Sequence, residues 1–170
     1  MNLSLFYLIP IFLIFVFLFL FFSGQIALSQ TVEQKLGILQ DSIITGNPSY
    51  EDYFKIGQIF LQKNDYDLAL KNFVYSLDNW DVNDKLGVAC CLNTVGVTYF
   101  NMKEYDYAAY YFLEALKIFP NYLKALDNLA FLYETKKNKS EACSLYKKIW
   151  MLDKNNTNAR EKFQALNTNF

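Results

Sequence analysis

The run from Leu3 to Phe22 is aliphatic and phenylalanine throughout, interrupted only by Ser4, Tyr7 and Pro10. As an α-helix rising about 1.5 Å per residue, that run spans about 30 Å, the thickness of a bilayer hydrocarbon core. The favourable insertion of so many apolar residues outweighs the penalty from Pro10 near one end. The pattern predicts a retained transmembrane anchor, bounded here as residues 1–28. A cleaved signal peptide is the competing reading, with Ala27-Leu28-Ser29 as a small-x-small site. Against it, a signal h-region covers about 7–15 residues behind a basic n-region, and no Lys or Arg precedes this run. Charge does not specify orientation either, because the first basic residue, Lys35, lies well beyond the span.

Past the span the period changes. Val32, Leu36, Leu39 and Ile43 are spaced four, three and four apart, which places them on one stripe of a helix. Residues 29–48 therefore read as a juxtamembrane amphipathic helix and linker, packed on the segment that follows or lying on the lipid surface. A dimerising coil needs three or four heptads and is disfavoured by this length. Gly46-Asn47-Pro48 is expected to stop the helix.

The remaining chain repeats itself at a fixed interval. Leu92-x-x-Val95-Gly96-x-x-Tyr99 is followed by Ala108-x-x-x-Phe112, Ala115 and Pro120. One period later come Leu126-x-x-Leu129-Ala130-x-x-Tyr133, then Ala142-x-x-x-Tyr146 and Ile149. Upstream, Tyr53-x-x-Ile56-Gly57-x-x-Phe60 leads to Ala69-x-x-x-Phe73. These offsets, with a period of about 34 residues, resemble the tetratricopeptide pattern. Each unit of that pattern is a pair of antiparallel helices that cannot bury its apolar stripe alone. Gly57, Gly96 and Ala130 stand where the paired helices approach most closely, and Ala69, Ala108 and Ala142 fill the matching small position. Phe60, Tyr99 and Tyr133 wedge into each pair, while Phe73, Phe112 and Tyr146 pack against the following unit.

The expected fold is thus all-α: an N-terminal transmembrane helix, then a right-handed superhelix of three tetratricopeptide repeats with a C-terminal capping helix. The repeats are bounded as 50–83, 89–122 and 123–156, with an insertion at 84–88 and a capping helix and tail at 157–170. The insertion reads as an extra turn on the first helix of repeat two, with Asp81 and Asn83 as N-caps. Pro120 is expected to end the second helix of repeat two. Ala159, Phe163 and Leu166 give the capping helix its apolar face.

Composition sharpens this division. The segment 1–28 is hydrophobic apart from Asn2, Ser4, Pro10, Ser23, Gly24 and Gln25, and no Asp, Glu, Lys or Arg occurs before Glu33. Histidine is absent, which removes His-based hydrolases and His-ligated metal sites. Sixteen basic against 17 acidic residues argue against nucleic acid as a partner. Cys90, Cys91 and Cys143 have no metal-ligand spacing and read as small buried hydrophobes. Phe, Tyr and Asn are frequent, which matches the codons of an A/T-rich genome such as that of an organelle or small bacterium. No titratable cluster stands out, so the chain is expected to be non-catalytic, with no cofactor, metal or small-molecule substrate and with proteins as its partners.

Two surfaces are candidates for contact. The register turns Phe54 and Gln58, then Asn93, Val97 and Phe100, then Lys124, Asp127 and Phe131 toward the concave groove. Glu51, Leu61, Cys90 and Glu134 complete that set. Of the positions that clamp a C-terminal carboxylate in some repeat domains, only Lys124 fits, so a chaperone tail is not expected. Phe54, Phe100 and Phe131 are equally readable as inter-repeat core. On the second helix of repeat two, Tyr105, Tyr107, Tyr110, Tyr111 and Phe112 cannot all face inward. Tyr107 and Tyr111, four apart, are candidates for an aromatic contact patch, codon bias being the plainer alternative.

With span and repeats placed, the whole chain resembles a plastid-encoded, membrane-anchored tetratricopeptide family of red algae and their relatives, with cyanobacterial counterparts. The resemblance includes Trp80-Asp81-Val82-Asn83-Asp84-Lys85-Leu86-Gly87 and Asn93-Thr94-Val95-Gly96-Val97-Thr98-Tyr99-Phe100-Asn101. It implies a thylakoid location with stromal repeats, and a scaffolding role in photosystem I assembly or stability without catalysis. A membrane-anchored receptor or chaperone adaptor, in protein import or a bacterial envelope, is the alternative.

Overall fold

The computed structural model describes residues 3–46 and 48–167, in two units divided after Pro48. Met1, Asn2, Asn47 and the tail beyond residue 167, all included in the expectations above, lie outside the described residues. Among the described residues there are eight α-helices and no strand.

The first unit is a single helix, α1 (Leu3–Ile44). Apolar span and amphipathic segment are therefore one element, with no break where the anchor was bounded at residue 28. No Pro or Gly stands between Gln25 and Leu36, so nothing in that stretch interrupts the hydrogen-bond ladder. At about 1.5 Å per residue, α1 is roughly 63 Å long, about twice the hydrocarbon thickness. Its stretch Ile9–Asp41 contains an 18-residue window of mean hydropathy 2.6 and is long and apolar enough to cross a membrane. The chain leaves the helix at Gly46, whose φ of +101° lies in the left-handed region that glycine tolerates.

The second unit is built from α2 (Tyr50–Gln62), α3 (Tyr66–Asn79), α4 (Lys85–Asn101), α5 (Tyr105–Ile118), α6 (Leu123–Thr135), α7 (Lys139–Leu152) and α8 (Thr157–Asn167). Helices pair as α2/α3, α4/α5 and α6/α7, and α4 also meets α6, which puts the first helices of successive pairs side by side. Phe73 and Ala69 pack with Cys91 and Val95 of the next pair. Phe112 and Ala108 pack with Leu129 and Leu132 in the same way. Ala142, Tyr146 and Ile149 close on Ala159, with Phe163 and Leu166 alongside, so α8 covers the apolar end of the array. Each interface includes residues that the repeat period singles out, joined by Cys91 at the first and Leu132 at the second.

The turn inside each pair is closed identically. Asn64, Lys103 and Lys137 have φ of 58°, 65° and 63°, each at the same offset from the small residue of its first helix. In the middle turn, Lys103 N–H donates to Phe100 O and Glu104 N–H to Tyr99 O, both at 2.9 Å. That is a Schellman closure, with the left-handed residue at its centre. Asparagine suits the position and lysine does not, since left-handed backbone costs most L-residues about 1–2 kcal/mol. Lys103→Gly is expected to raise stability by about 0.5–1 kcal/mol, measured by urea denaturation.

The residues 84–88 lengthen α4 to 17 residues against 13 in α2 and α6, one extra turn. Its N-cap is Asp84, a correction to the expectation of Asp81 or Asn83. Asp81 instead accepts from the Asn83 backbone N–H at 2.9 Å, closing a short turn before the helix begins. Asp84 accepts from Gly87 N–H at 2.9 Å and, through its other oxygen, from Trp80 Nε1–H at 3.1 Å. Those hydrogen bonds, the backbone one first, hold its carboxyl below the usual range. Trp80 in turn packs on Tyr50 and Phe54, so one carboxylate fastens the long helix to the first pair. A Cβ on Gly87 would fall 2.1 Å from Asp84 Oδ2 and 2.5 Å from Trp80 Nε1. Gly87→Ala, ordinarily stabilising within a helix, is therefore expected to lower Tm by a few degrees and alter the near-ultraviolet signal of Trp80.

Candidate binding surfaces

The side chains turned toward the groove divide once the helices are placed. Phe54 is half-buried, 5.6 Å from Phe73 and 5.5 Å from Trp80, and belongs to the first interior cluster. Asn93 is buried, and its Oδ1 accepts from Asn128 Nδ2 at 2.9 Å, a bond that ties α4 to α6. Val97 is half-buried against the second interface. These three residues serve the array itself: α3 and Trp80 cover Phe54, and α6 covers the flank of α4 that carries Asn93 and Val97.

Others remain open. Gln58, Lys124 and Asp127 are exposed. Phe131 is 52% exposed, with its ring 5.6 Å from the half-buried Phe100, which also meets Tyr105 at 5.4 Å. The open part of the groove is thus one phenylalanine supported by a second and flanked by Lys124, Asp127 and Glu134.

At the C-terminal end of this surface, Glu134 accepts from Tyr146 OH at 2.9 Å and from Lys162 Nζ at 2.7 Å. Three helices are joined by one carboxylate. Desolvation opposes its charge, but the Lys162 and Tyr146 hydrogen bonds outweigh it and hold the carboxyl below its usual range. A group with a depressed folded-state pKa contributes stability above its unfolded pKa and loses it as pH falls through the folded value. Thermal melts should therefore lose part of their stability below the ordinary glutamate value of 4.5. Glu134→Gln is expected to flatten that acid limb relative to the parent chain.

The tyrosines of α5 form a stack, and Tyr99 of α4 is its centre. Tyr107 and Tyr111 each lie 5.3 Å from Tyr99, at interplanar angles of 28° and 8°. Tyr110 meets Tyr111 edge-on at 5.2 Å. Tyr107 and Tyr110 are 59% and 55% exposed, whereas Tyr111 is half-buried. Burial, with Tyr99 and Tyr110 beside it, raises the Tyr111 hydroxyl above its ordinary pKa. A cleft of about 360 Å³ is lined by Asp106, Tyr107, Tyr110 and Tyr111. The exposed pair is thus Tyr107 with Tyr110. Helical spacing alone pointed to Tyr107 with Tyr111, because it could not show that Tyr111 is half-buried beside Tyr99.

Cys91 and Cys143 are buried, Cys90 is half-buried, and burial pushes the Cys91 thiol up to about 12. Among the described residues no group of His, Cys, Asp or Glu could hold a metal ion.

Paired helices with small residues at their crossings, stacked in register under a cap, define a tetratricopeptide repeat protein. The model of the tetratricopeptide repeat family matches residues 89–122. The chain is 37% identical over 154 residues to the ycf37 protein of Guillardia theta, covering 91% of this chain and 86% of that one. It is 28% identical to the tetratricopeptide repeat domain-containing protein PYG7, chloroplastic, of Arabidopsis thaliana, over 84% of this chain and 47% of that one. Among solved structures, the first repeat domain of Spaghetti (RPAP3), bound to an HSP90 peptide, superposes with a TM-score of 0.60 at 18% identity. That match covers 71% of this chain and 91% of that one, and shows the fold. The chain belongs to the ycf37 family, a group with chloroplast relatives, and its repeats mark it as a scaffold for protein partners.

Proposed function

We propose that this chain is a membrane-anchored, non-catalytic scaffold that holds photosystem I subunits or assembly intermediates at the thylakoid membrane. Its repeats face the stroma, and α1 is retained as a single span. One observation carries the reading: a helix long and apolar enough to cross a bilayer is joined to a repeat array that leaves Phe131 open among charged side chains. An exposed aromatic supported from below is the form of an interface anchor. The Tyr107 patch is the second contact surface of the same scaffold. Its stacked rings give a large rigid apolar area, with hydroxyls at the edge.

Fractionation of native membranes, with mass spectrometry of whatever co-migrates, tests the reading. Photosystem I subunits are expected in the same fractions, reduced by Phe131→Ala or by Tyr107→Ala/Tyr110→Ala. Co-migration with protein-import machinery and nothing photosynthetic would overturn it in favour of a receptor or chaperone adaptor.

A further inference from the structure

The near-zero net charge conceals a division within the repeat unit. Residues 49–122 carry six Lys or Arg against ten Asp or Glu, whereas residues 123–170 carry nine against five. Much of the basic excess collects on the outer side of α7. Ala142, Cys143, Tyr146 and Ile149 bury the inner face of that helix. Ser140, Ser144, Lys147, Lys148 and Met151 follow one another at helical spacing on the opposite, exposed face. Lys137 precedes this row in the turn and Lys154 follows it, the latter with its ammonium 4.6 Å from the Trp150 ring centroid. Lys137 and Lys147 make no ion pair among the described residues, and Lys148 donates to the Pro120 carbonyl at 3.0 Å. Met151 is 60% exposed and Leu152 43%, at the end of the same row.

We infer that this face of α7 is a seat for an anionic lipid surface, with Lys137, Lys147, Lys148 and Lys154 over the headgroups and Met151 dipping between them. The composition decides against a protein occupant. Protein interfaces are depleted in lysine and serine and enriched in aromatics, methionine and arginine, and apart from Met151 this face has the opposite character. Lysine is a flexible point charge suited to a diffuse negative surface, whereas paired recognition of carboxylates favours arginine's fixed fork. Clusters of four or more lysines beside a membrane are drawn to anionic leaflets, and a tether keeps the local concentration high. The inference rests on the membrane anchor in the reading above.

The test uses the full chain inserted by α1 into vesicles of phosphatidylcholine alone, or of phosphatidylcholine with one-third phosphatidylglycerol. Lysine acylation is followed residue by residue by mass spectrometry. Modification of Lys147, Lys148 and Lys154 is expected to slow several-fold in anionic vesicles and to recover in molar salt, where the Debye length shrinks to about 3 Å. Exposed Lys71 and Lys85 should be unaffected. Lys147→Glu/Lys148→Glu should abolish the protection of Lys154. Equal rates in both vesicles, with the chain resistant to carbonate extraction, would overturn the lipid seat alone. Release by carbonate would overturn the anchor and the seat together. Protection seen only in native membranes and lost on trimming their proteins with protease would assign the face to an acidic protein instead, against the inference.

Discussion

Gly96→Leu is expected to destabilise the repeat unit by about 3 kcal/mol, the upper end of the usual overpacking range. A Cβ alone at this position would stand 2.6 Å from Phe112 Cδ1 and Cε1 and 3.3 Å from the Ala108 carbonyl oxygen. The phenylalanine cannot retreat. It is 1% exposed and already pressed against Leu129 and Leu132 of the next pair. A larger side chain must therefore part α4 from α5, and with them the seam to α6. Calorimetry should record a fall in Tm of roughly 10–15 °C. Gly96→Ala is expected to cost less, because alanine regains up to about 1 kcal/mol of helix propensity. A Tm within a degree or two of the parent for Gly96→Leu would refute the close-approach account. The third pair is a natural comparison, since Ala130 fills the equivalent place opposite Tyr146 and both are buried.

Phe112→Ala attacks the same junction from the other side, with an expected loss of about 3–5 kcal/mol. Its ring touches the space left by Gly96 and belongs to the cluster that joins α5 to α6. In a stacked array each unit is held chiefly by its neighbours, so a cavity in the middle separates the ends. The urea transition is expected to broaden, with α2/α3 and α6–α8 losing structure at different denaturant concentrations. Combining Gly96→Leu with Phe112→Ala should cost clearly less than the sum, because the leucine enters the vacated volume. Phe131→Ala is the control. That ring is half exposed, so its removal is expected to change stability by about 0.5 kcal/mol or less, while removing the proposed groove anchor. A narrow single transition for Phe112→Ala, shifted by under about 1 kcal/mol, would argue that the pairs are less coupled than their packing implies.

Much of this junction was readable from spacing. Gly96, Ala108 and Phe112 recur one period later as Ala130, Ala142 and Tyr146. A period repeated in one chain carries the contact pattern with it, because each copy must meet the next in the same way. The extra turn of α4 was legible as an insertion, but its cap was not. Asp81, Asn83 and Asp84 are alike in capping chemistry, and only the path of the Trp80 indole selects Asp84. The candidate surfaces were legible as lists and not as surfaces. Phe54 and Phe131 hold neighbouring positions in their repeats, yet one lies against Trp80 and the other stands open.

The hydrophobic run, its length and the repeat period are properties of order along the chain. They were sufficient for an apolar helix, three helical pairs and a cap, since local hydrogen bonding and near-neighbour packing depend on little else. Which aromatic rings are spent on the interior is a property of distance between helices. Tyr99 came to lie against Tyr107 and Tyr111, and Asn93 against Asn128, through crossings that no spacing rule describes. The lysines of α7 likewise became one face only when its other side was buried against α6 and α8. Burial is decided in three dimensions, and with it the surface left for partners.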